Sequence, residues 1–142
     1  MKPQNYQNHR RIVYLYHGIT FLAIIALGIG SVINLLSSTR ENLYSASLLV
    51  LLSFIQLSFF FYARIFPLRA QDRAIRAEEN LRHYVLAGKL LDPRLGVRQI
   101  VALRFASDGE LPALAKKAAQ EQMTADAIKK SIKDWRPDTY RV

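Results

Sequence analysis

Few side chains in this 142-residue chain could carry out catalysis, and their spacing favours structural roles. Asp108 and Glu110 are two carboxylates near an apolar helix, but they flank Gly109 and precede Pro112. That arrangement is typical of a helix amino terminus, where carboxylates cap free backbone N–H groups and complement the helix dipole. Ser107 has no base nearby in sequence, and no glycine-rich phosphate loop is present. We therefore predict no catalytic constellation and expect the chain not to be an enzyme.

Metal and cofactor sites are also not expected. The chain has no cysteine, which excludes disulfides, thiolate metal sites, iron–sulfur clusters and cysteine nucleophiles. The three histidines are too far apart in sequence for a metal site, and the second apolar run has none to serve as a haem ligand. They are His9, His17 and His83.

Two long apolar runs predict a transmembrane hairpin. Residues 12–36 and 43–63 contain no Asp, Glu, Lys or Arg, and the second apolar run continues to residue 66. About 20 apolar residues suffice for a helix to cross a bilayer. The link of residues 37–42 is so short that the two helices must lie side by side and antiparallel. A buried helix pair of a soluble protein would need more covering chain, and a signal peptide would have a shorter apolar core. We therefore assign residues 12–66 to a two-span hairpin.

Basic residues predict the orientation of the hairpin. Lys2, Arg10 and Arg11 lie in the basic segment 1–11, whereas Arg40 in the link is cancelled by Glu41. Four arginines follow the second span, and positive charge accumulates on the cytoplasmic side of membranes. We expect both termini in the cytoplasm and the link outside. The four arginines are Arg64, Arg69, Arg73 and Arg76.

Small and polar residues in the spans predict where the two helices touch. Small side chains allow close backbone approach, and amide or hydroxyl groups can hydrogen-bond across the contact. Gln56 and Asn34 could instead face a partner helix or a polar pathway. The uncharged stretches 12–36 and 43–63 contain no Asp, Glu, Lys or Arg, so transport by this chain alone is not expected. The predicted contact residues are Ala23, Ala26, Gly30, Asn34, Ser53 and Gln56.

Residues 67–90 are predicted to continue the second span as a juxtamembrane helix that stops near Gly88. Its apolar residues recur at spacings of four and three, a heptad-like seam of Ala70, Ala74, Ala77, Leu81 and Tyr84. Arg69, Arg73 and Arg76 share one face and are predicted to contact anionic lipid headgroups, although a solvated face explains them as well.

Residues 91–142 are predicted to form a small helical cytoplasmic domain, which makes the fold class all-α. We expect helices over 97–106, from an Asp108 cap to about 122, and from a Thr124 cap to Trp135, before Pro137. The expected core consists of Ile100, Leu103, Phe105, Leu111, Leu114, Ile128, Ile132 and Trp135.

Several segments carry a resemblance to a known family. They are ALRFASDGELPALAKKA, IKKSIKDWRPDTYRV, the opening QNYQNHRR and YHG. With them the chain resembles, from end to end, a family of small bacterial two-span membrane proteins, domain of unknown function 6526. The resemblance implies a bacterial cytoplasmic-membrane protein with a helical cytoplasmic domain. It implies no activity, ligand or catalytic residue.

The net charge of +9 does not indicate nucleic-acid binding. Residues 67–142 hold 15 basic and 10 acidic side chains, a modest excess without a nucleic-acid-binding motif. The favoured hypothesis is a membrane-anchored interaction module or accessory subunit at the inner membrane face. Its partners would be the anionic bilayer and a protein or a second copy of the chain. The alternative is a component of a membrane enzyme or transporter whose site other subunits complete.

Overall fold

The computed structural model describes residues 4–9 and 12–138, whose regular structure is helical apart from one isolated antiparallel bridge, Ala106–Trp135. This confirms the all-α class. The described residues form two compact units, 12–66 and 4–9 with 67–138. The helices are a π-helical segment Leu15–Thr20 that continues as α1 (Phe21–Leu36), then α2 (Leu43–Ala87), α3 (Val97–Leu103), α4 (Leu111–Gln120) and α5 (Ala125–Ser131).

Two helices are long and apolar enough to cross a membrane, Leu15–Leu36 and Leu43–Ala87. Only 6% of the apolar stretch of the first and 11% of that of the second are buried within the chain. A core helix of a soluble protein would be mostly buried, so the described residues do not supply the cover that this alternative requires. The helices pack as a hairpin through Ser31 and Ser53 and, nearer the amino terminus, through Tyr16 and Phe60.

The first helix begins at Leu15, three residues later than the apolar run suggests, with a wide π-helical turn. In this segment the Thr20 hydroxyl donates a hydrogen bond to the Leu15 carbonyl, 2.9 Å away. The Tyr16 ring stacks on Phe60 at 4.5 Å, and its hydroxyl donates to the Phe60 carbonyl. The two contacts of Tyr16 fix the start of the first helix against α2.

Helix α2 continues well beyond the apolar run, as predicted, and contains Pro67. Proline has no N–H, so the carbonyl four residues earlier, on Ala63, loses its usual helical partner. The helix ends where Gly88 adopts a left-handed φ of +71° and donates its N–H to the Tyr84 carbonyl at 2.8 Å. That bond is a glycine-based carboxy-terminal cap, which confirms the predicted end of the helix.

Helices α3, α4 and α5 surround one hydrophobic core, joined by Leu91 and Leu95 from the connector after α2. Seven of the eight predicted core residues are buried, and Trp135 is half-buried against the same cluster. Thr124 caps α5 as predicted, because its hydroxyl accepts from the Ala127 N–H at 3.2 Å. Pro112 lies in the first turn of α4, where its missing N–H removes no helical bond.

Three boundaries in this domain differ from the prediction. Helix α3 ends at Leu103 and not at residue 106, because Ala106 already pairs with Trp135. Asp108 is not a helix cap: α4 begins after Glu110, and the Asp108 carboxylate accepts from Arg82 instead. Helix α5 ends at Ser131 and not at Trp135, since Ile132 is already extended. The extended segment then pairs with the chain after α3, where the Arg136 N–H donates to the Phe105 carbonyl at 2.8 Å. A tertiary pairing therefore outweighs helical periodicity here.

We expect Phe105→Ala to destabilise the chain by about 3–5 kcal/mol, because the ring is fully buried and its removal leaves a cavity. Trp135→Ala should cost less, since the indole is only half-buried. Urea unfolding of the detergent-solubilised chain, followed by helical circular dichroism, measures both. Equal losses, or a larger loss for Trp135→Ala, would contradict this packing.

Candidate functional site

The contact between the two apolar helices is built from small residues on one face of α1. Ser31 and Ser53 are buried and their hydroxyl oxygens lie 3.5 Å apart. Each hydroxyl donates to a carbonyl of its own helix, Ser31 to Gly28 and Ser53 to Val50. A Cβ atom at Gly28 would lie 3.8 Å from the Ser53 hydroxyl oxygen, which places the two helices in ordinary van der Waals contact. Because each hydroxyl donates to a backbone carbonyl of its own helix, the free-energy cost of burying it among apolar groups is offset.

Of the six predicted contact residues, Ser53 alone is buried. The other five, Ala23, Ala26, Gly30, Asn34 and Gln56, are exposed on the hairpin surface. The prediction selected one stripe of small residues on α1, but the packed stripe is the neighbouring one, Ile24, Gly28, Ser31 and Leu35. Small residues permit close approach on either stripe, so spacing alone does not select between them.

Helix α2 carries two arrays of exposed residues beyond the apolar run. The arginines Arg69, Arg73 and Arg76 are all exposed, as contact with headgroups would require. The heptad-like seam of Ala70, Ala74, Ala77, Leu81 and Tyr84, which we call the α2 seam, is exposed as well. Leu81 and Tyr84 have exposed fractions of 64% and 54%. The described part of the chain therefore leaves the apolar seam uncovered.

The buried face of the same helical stretch holds two ionisable side chains beside one apolar residue. Ile75, Glu79 and His83 recur every four residues and are at most 7% exposed. The Arg82 guanidinium lies beside them and uses three of its N–H groups. It contacts Glu79 Oε2 at 2.9 Å, donates to Asp108 Oδ1 at 2.7 Å and to the Ala106 carbonyl at 2.7 Å. The sequence predicted Asp108 to be a helix cap. It lies instead at one end of a group of charged side chains, Glu79, Arg82 and Asp108, which we call the ion cluster.

A cleft of about 250 Å³ opens next to this cluster. Arg136 Nη1 lies 4.0 Å from Glu79 Oε1, and Arg104 Nε lies 3.0 Å from Asp138 Oδ2. With Glu78, the cleft wall holds two arginines and three carboxylates. The charges nearly cancel, so the wall has little net attraction for an anion or a cation. Both arginines are paired with carboxylates of the same wall. The cleft is therefore better explained as part of the ion cluster than as a ligand site.

The amino-terminal segment docks on α5 and the chain after it. The Tyr6 hydroxyl donates to Asp126 Oδ1 at 2.6 Å, and Gln4 exchanges two hydrogen bonds with the backbone of Asp138. The His9 ring lies 6.0 Å from the Trp135 ring. Lys130 and the Tyr6 hydroxyl lower the pKa of the Asp126 carboxyl, because both stabilise its charged form.

Sequence reasoning missed this docking, since it interpreted residues 1–11 only as a basic flank. The available signal was the run of amide and aromatic side chains over residues 4–9. A segment that only oriented the hairpin through its positive charge would not need these amide and aromatic side chains. The polar buried face of α2 was missed as well, because apolar spacing indicated the opposite face.

The two carboxylates that the sequence singles out, Asp108 and Glu110, make structural contacts among the described residues. No cluster of three or more His, Asp or Glu side chains suited to a metal ion occurs among them. Glu110 accepts from the backbone N–H groups of Lys133 and Asp134 at 3.2 Å, so it has a structural role like Asp108. The arrangement can fasten segments together and present surfaces, and these are the properties that a function can be argued from.

Comparison with known proteins gives one match. A family model described as Family of unknown function (DUF6526) matches residues 1–142, so the chain belongs to that family. No curated protein and no solved structure matches the chain.

We expect Arg82→Met to cost about 3–5 kcal/mol of unfolding free energy, since it leaves Glu79 buried without its nearest cation. The matched control is Arg94→Met, which breaks the largely exposed pair with Asp92 and should have little effect on the unfolding free energy. Chemical unfolding of the solubilised chain, followed by the fluorescence of Trp135, the single tryptophan, reports both. Equal costs for the two arginines would show that the Arg82 cluster is an ordinary surface network.

Proposed function

We propose that this member of the DUF6526 family is a membrane-anchored helical interaction module. Its two apolar helices would hold a helical domain at the inner face of a bacterial cytoplasmic membrane, with both termini in the cytoplasm. There it would act as an accessory subunit that binds another protein chain. The observation that carries the proposal is the α2 seam, an exposed apolar stripe on a helix whose earlier part is long and apolar enough to cross a membrane.

The exposed seam supports a protein-binding role on physical grounds. Leu81, Tyr84 and the neighbouring Val85, which is 75% exposed, present bulky apolar groups to water outside the apolar run. A contiguous apolar patch of this kind is costly for a soluble surface and typically marks an interaction site. The polar face of the same helix is already occupied by the ion cluster, so the seam is the face left for a partner.

The docked amino-terminal segment supports the proposed topology. Residues 4–9 precede the first apolar helix, whereas Asp126 and Asp138 follow the second. Direct contact between them requires both to lie on one side of the membrane, which an even number of crossings provides. The excess of basic residues on that side supports the cytoplasmic face.

We expect single-cysteine variants to show this topology, since the chain has no native cysteine. Thr39→Cys in the link should react with a membrane-impermeant maleimide added to intact cells. Ser131→Cys at the end of α5 should react only after lysis. Both positions are exposed, so burial would not mask labelling. The opposite labelling pattern would overturn the proposed topology.

The same approach tests the interaction role. A photo-crosslinker attached at Leu81→Cys or Val85→Cys should give a defined adduct with a protein chain in native membranes. The control is Arg76→Cys, which is exposed on the same helix but lies outside the seam. Adducts at neither Leu81→Cys nor Val85→Cys, or equal adducts at Arg76→Cys, would contradict a docking role for the seam.

Arg69, Arg73 and Arg76 would contact anionic headgroups, each contributing about 1 kcal/mol near the surface. We expect the chain extracted from mixed bilayers to retain phosphatidylglycerol over phosphatidylcholine, and less so as salt rises. Replacing the three by Gln should abolish that preference in native mass spectrometry. The same change at the exposed Arg94, Arg98 and Lys116 should not. An unchanged preference in the first variant would show a merely solvated face.

A further inference from the structure

We propose that the partner of the α2 seam is a second copy of this chain, packed in parallel as a short two-stranded coiled coil. The inference rests on the proposed membrane anchoring. The seam residues recur at spacings of four, three, four and three, which is the a/d pattern of a heptad repeat. In that register Ala74 and Leu81 occupy a positions, and Ala70, Ala77 and Tyr84 occupy d positions.

Most of the seam lies on the side of α2 away from its own domain, and only Ala74 also borders the cleft beside the ion cluster. At 100° per residue, Ala70 is about half a turn around the helix axis from Glu79, the centre of the buried face. Ile75, Glu79 and His83 are buried, whereas every seam residue is exposed. A second helix can therefore reach the seam without displacing any contact of the ion cluster.

Charges beside the seam favour a second copy over an unrelated helix. Arg73 occupies a g position and Glu78 the e position five residues later. In a parallel coiled coil these two positions meet across the interface, so Arg73 of each copy faces Glu78 of the other. Both side chains are exposed, and neither forms an ion pair within residues 4–9 and 12–138. Each copy therefore carries both members of an ion pair that a symmetric dimer would form twice.

Membrane anchoring makes the parallel orientation the natural one. Two copies inserted with the same topology present α2 in the same direction, whereas an antiparallel pair centred on Ala77 would bring Glu78 against Glu78. The three alanines permit close approach of the helices, and Leu81, Tyr84 and Val85 supply the bulk of the apolar contact. Two heptads are too short for strong association in solution, but confinement to a bilayer raises the effective concentration.

Cysteine crosslinking in bilayers tests the pairing. Ala77→Cys should form a disulfide-linked dimer under mild oxidation, because d positions of a parallel pair face each other. Arg76→Cys, one residue away and outside the seam, should not form one. Failure of Ala77→Cys to crosslink, or equal crosslinking at both positions, would overturn the proposal.

Charge exchange tests the specific contact in the full-length Ala77→Cys chain. Arg73→Glu or Glu78→Arg alone should lower the dimer yield about threefold to tenfold, since each places like charges together. The double exchange should restore the yield, whereas Arg98→Glu, at an exposed position outside α2, should leave it unchanged. A double exchange that does not restore the dimer would overturn the proposal. Photo-adducts at Leu81→Cys or Val85→Cys with a different protein would also overturn it, yet they would leave the proposed function standing.

Discussion

The buried carboxylate of Glu79 is the constraint on which the rest of the unit formed by residues 4–9 and 67–138 depends. A carboxylate that is 5% exposed is costly unless cations and hydrogen-bond donors surround it. Arg82 supplies the nearest cation, and its remaining N–H groups extend to Asp108 and the Ala106 carbonyl. The segment after α3 must therefore lie against α2. Arg136, on the segment after α5, approaches the same carboxylate from another direction.

This constraint gives α2 an unusual division of faces outside the apolar run. A surface helix ordinarily turns its apolar stripe inward and its charges outward. Here Glu79 and His83 are buried beside Ile75, and the apolar α2 seam is left exposed. A helix arranged in this way is stable within its own chain and still has an apolar face available to another helix. The proposed interaction role and the proposed dimer both depend on that division.

The backbone bridge between Ala106 and Trp135 links the ion cluster to the docked amino-terminal segment, residues 4–9. It aligns the chain after α5 so that Asp138 meets Gln4, while α5 itself presents Asp126 to Tyr6. The amino-terminal segment, α2 and the three short helices thus belong to one unit although they are far apart in sequence.

Local signals in the sequence predicted the features that local physics decides. Apolar length predicted two long helices, Gly88 predicted the end of α2, and Thr124 predicted the start of α5. The features that depend on distant partners were not predictable in this way. Asp108 looks like a helix cap until Arg82, 26 residues away, is known to lie beside it. Likewise, apolar periodicity identified the α2 seam but could not show that the polar face packs against the domain.

Reactivity of single cysteines on α2 tests the division of faces most directly. In the detergent-solubilised chain, a water-soluble maleimide should react with Ile75→Cys at least about tenfold more slowly than with Arg76→Cys, because only the former is buried under the domain. Adding mild denaturant should remove the difference as the domain opens. Equal reactivity of the two positions in the native chain would show that the Ile75–Glu79–His83 face is not packed, and would contradict the account.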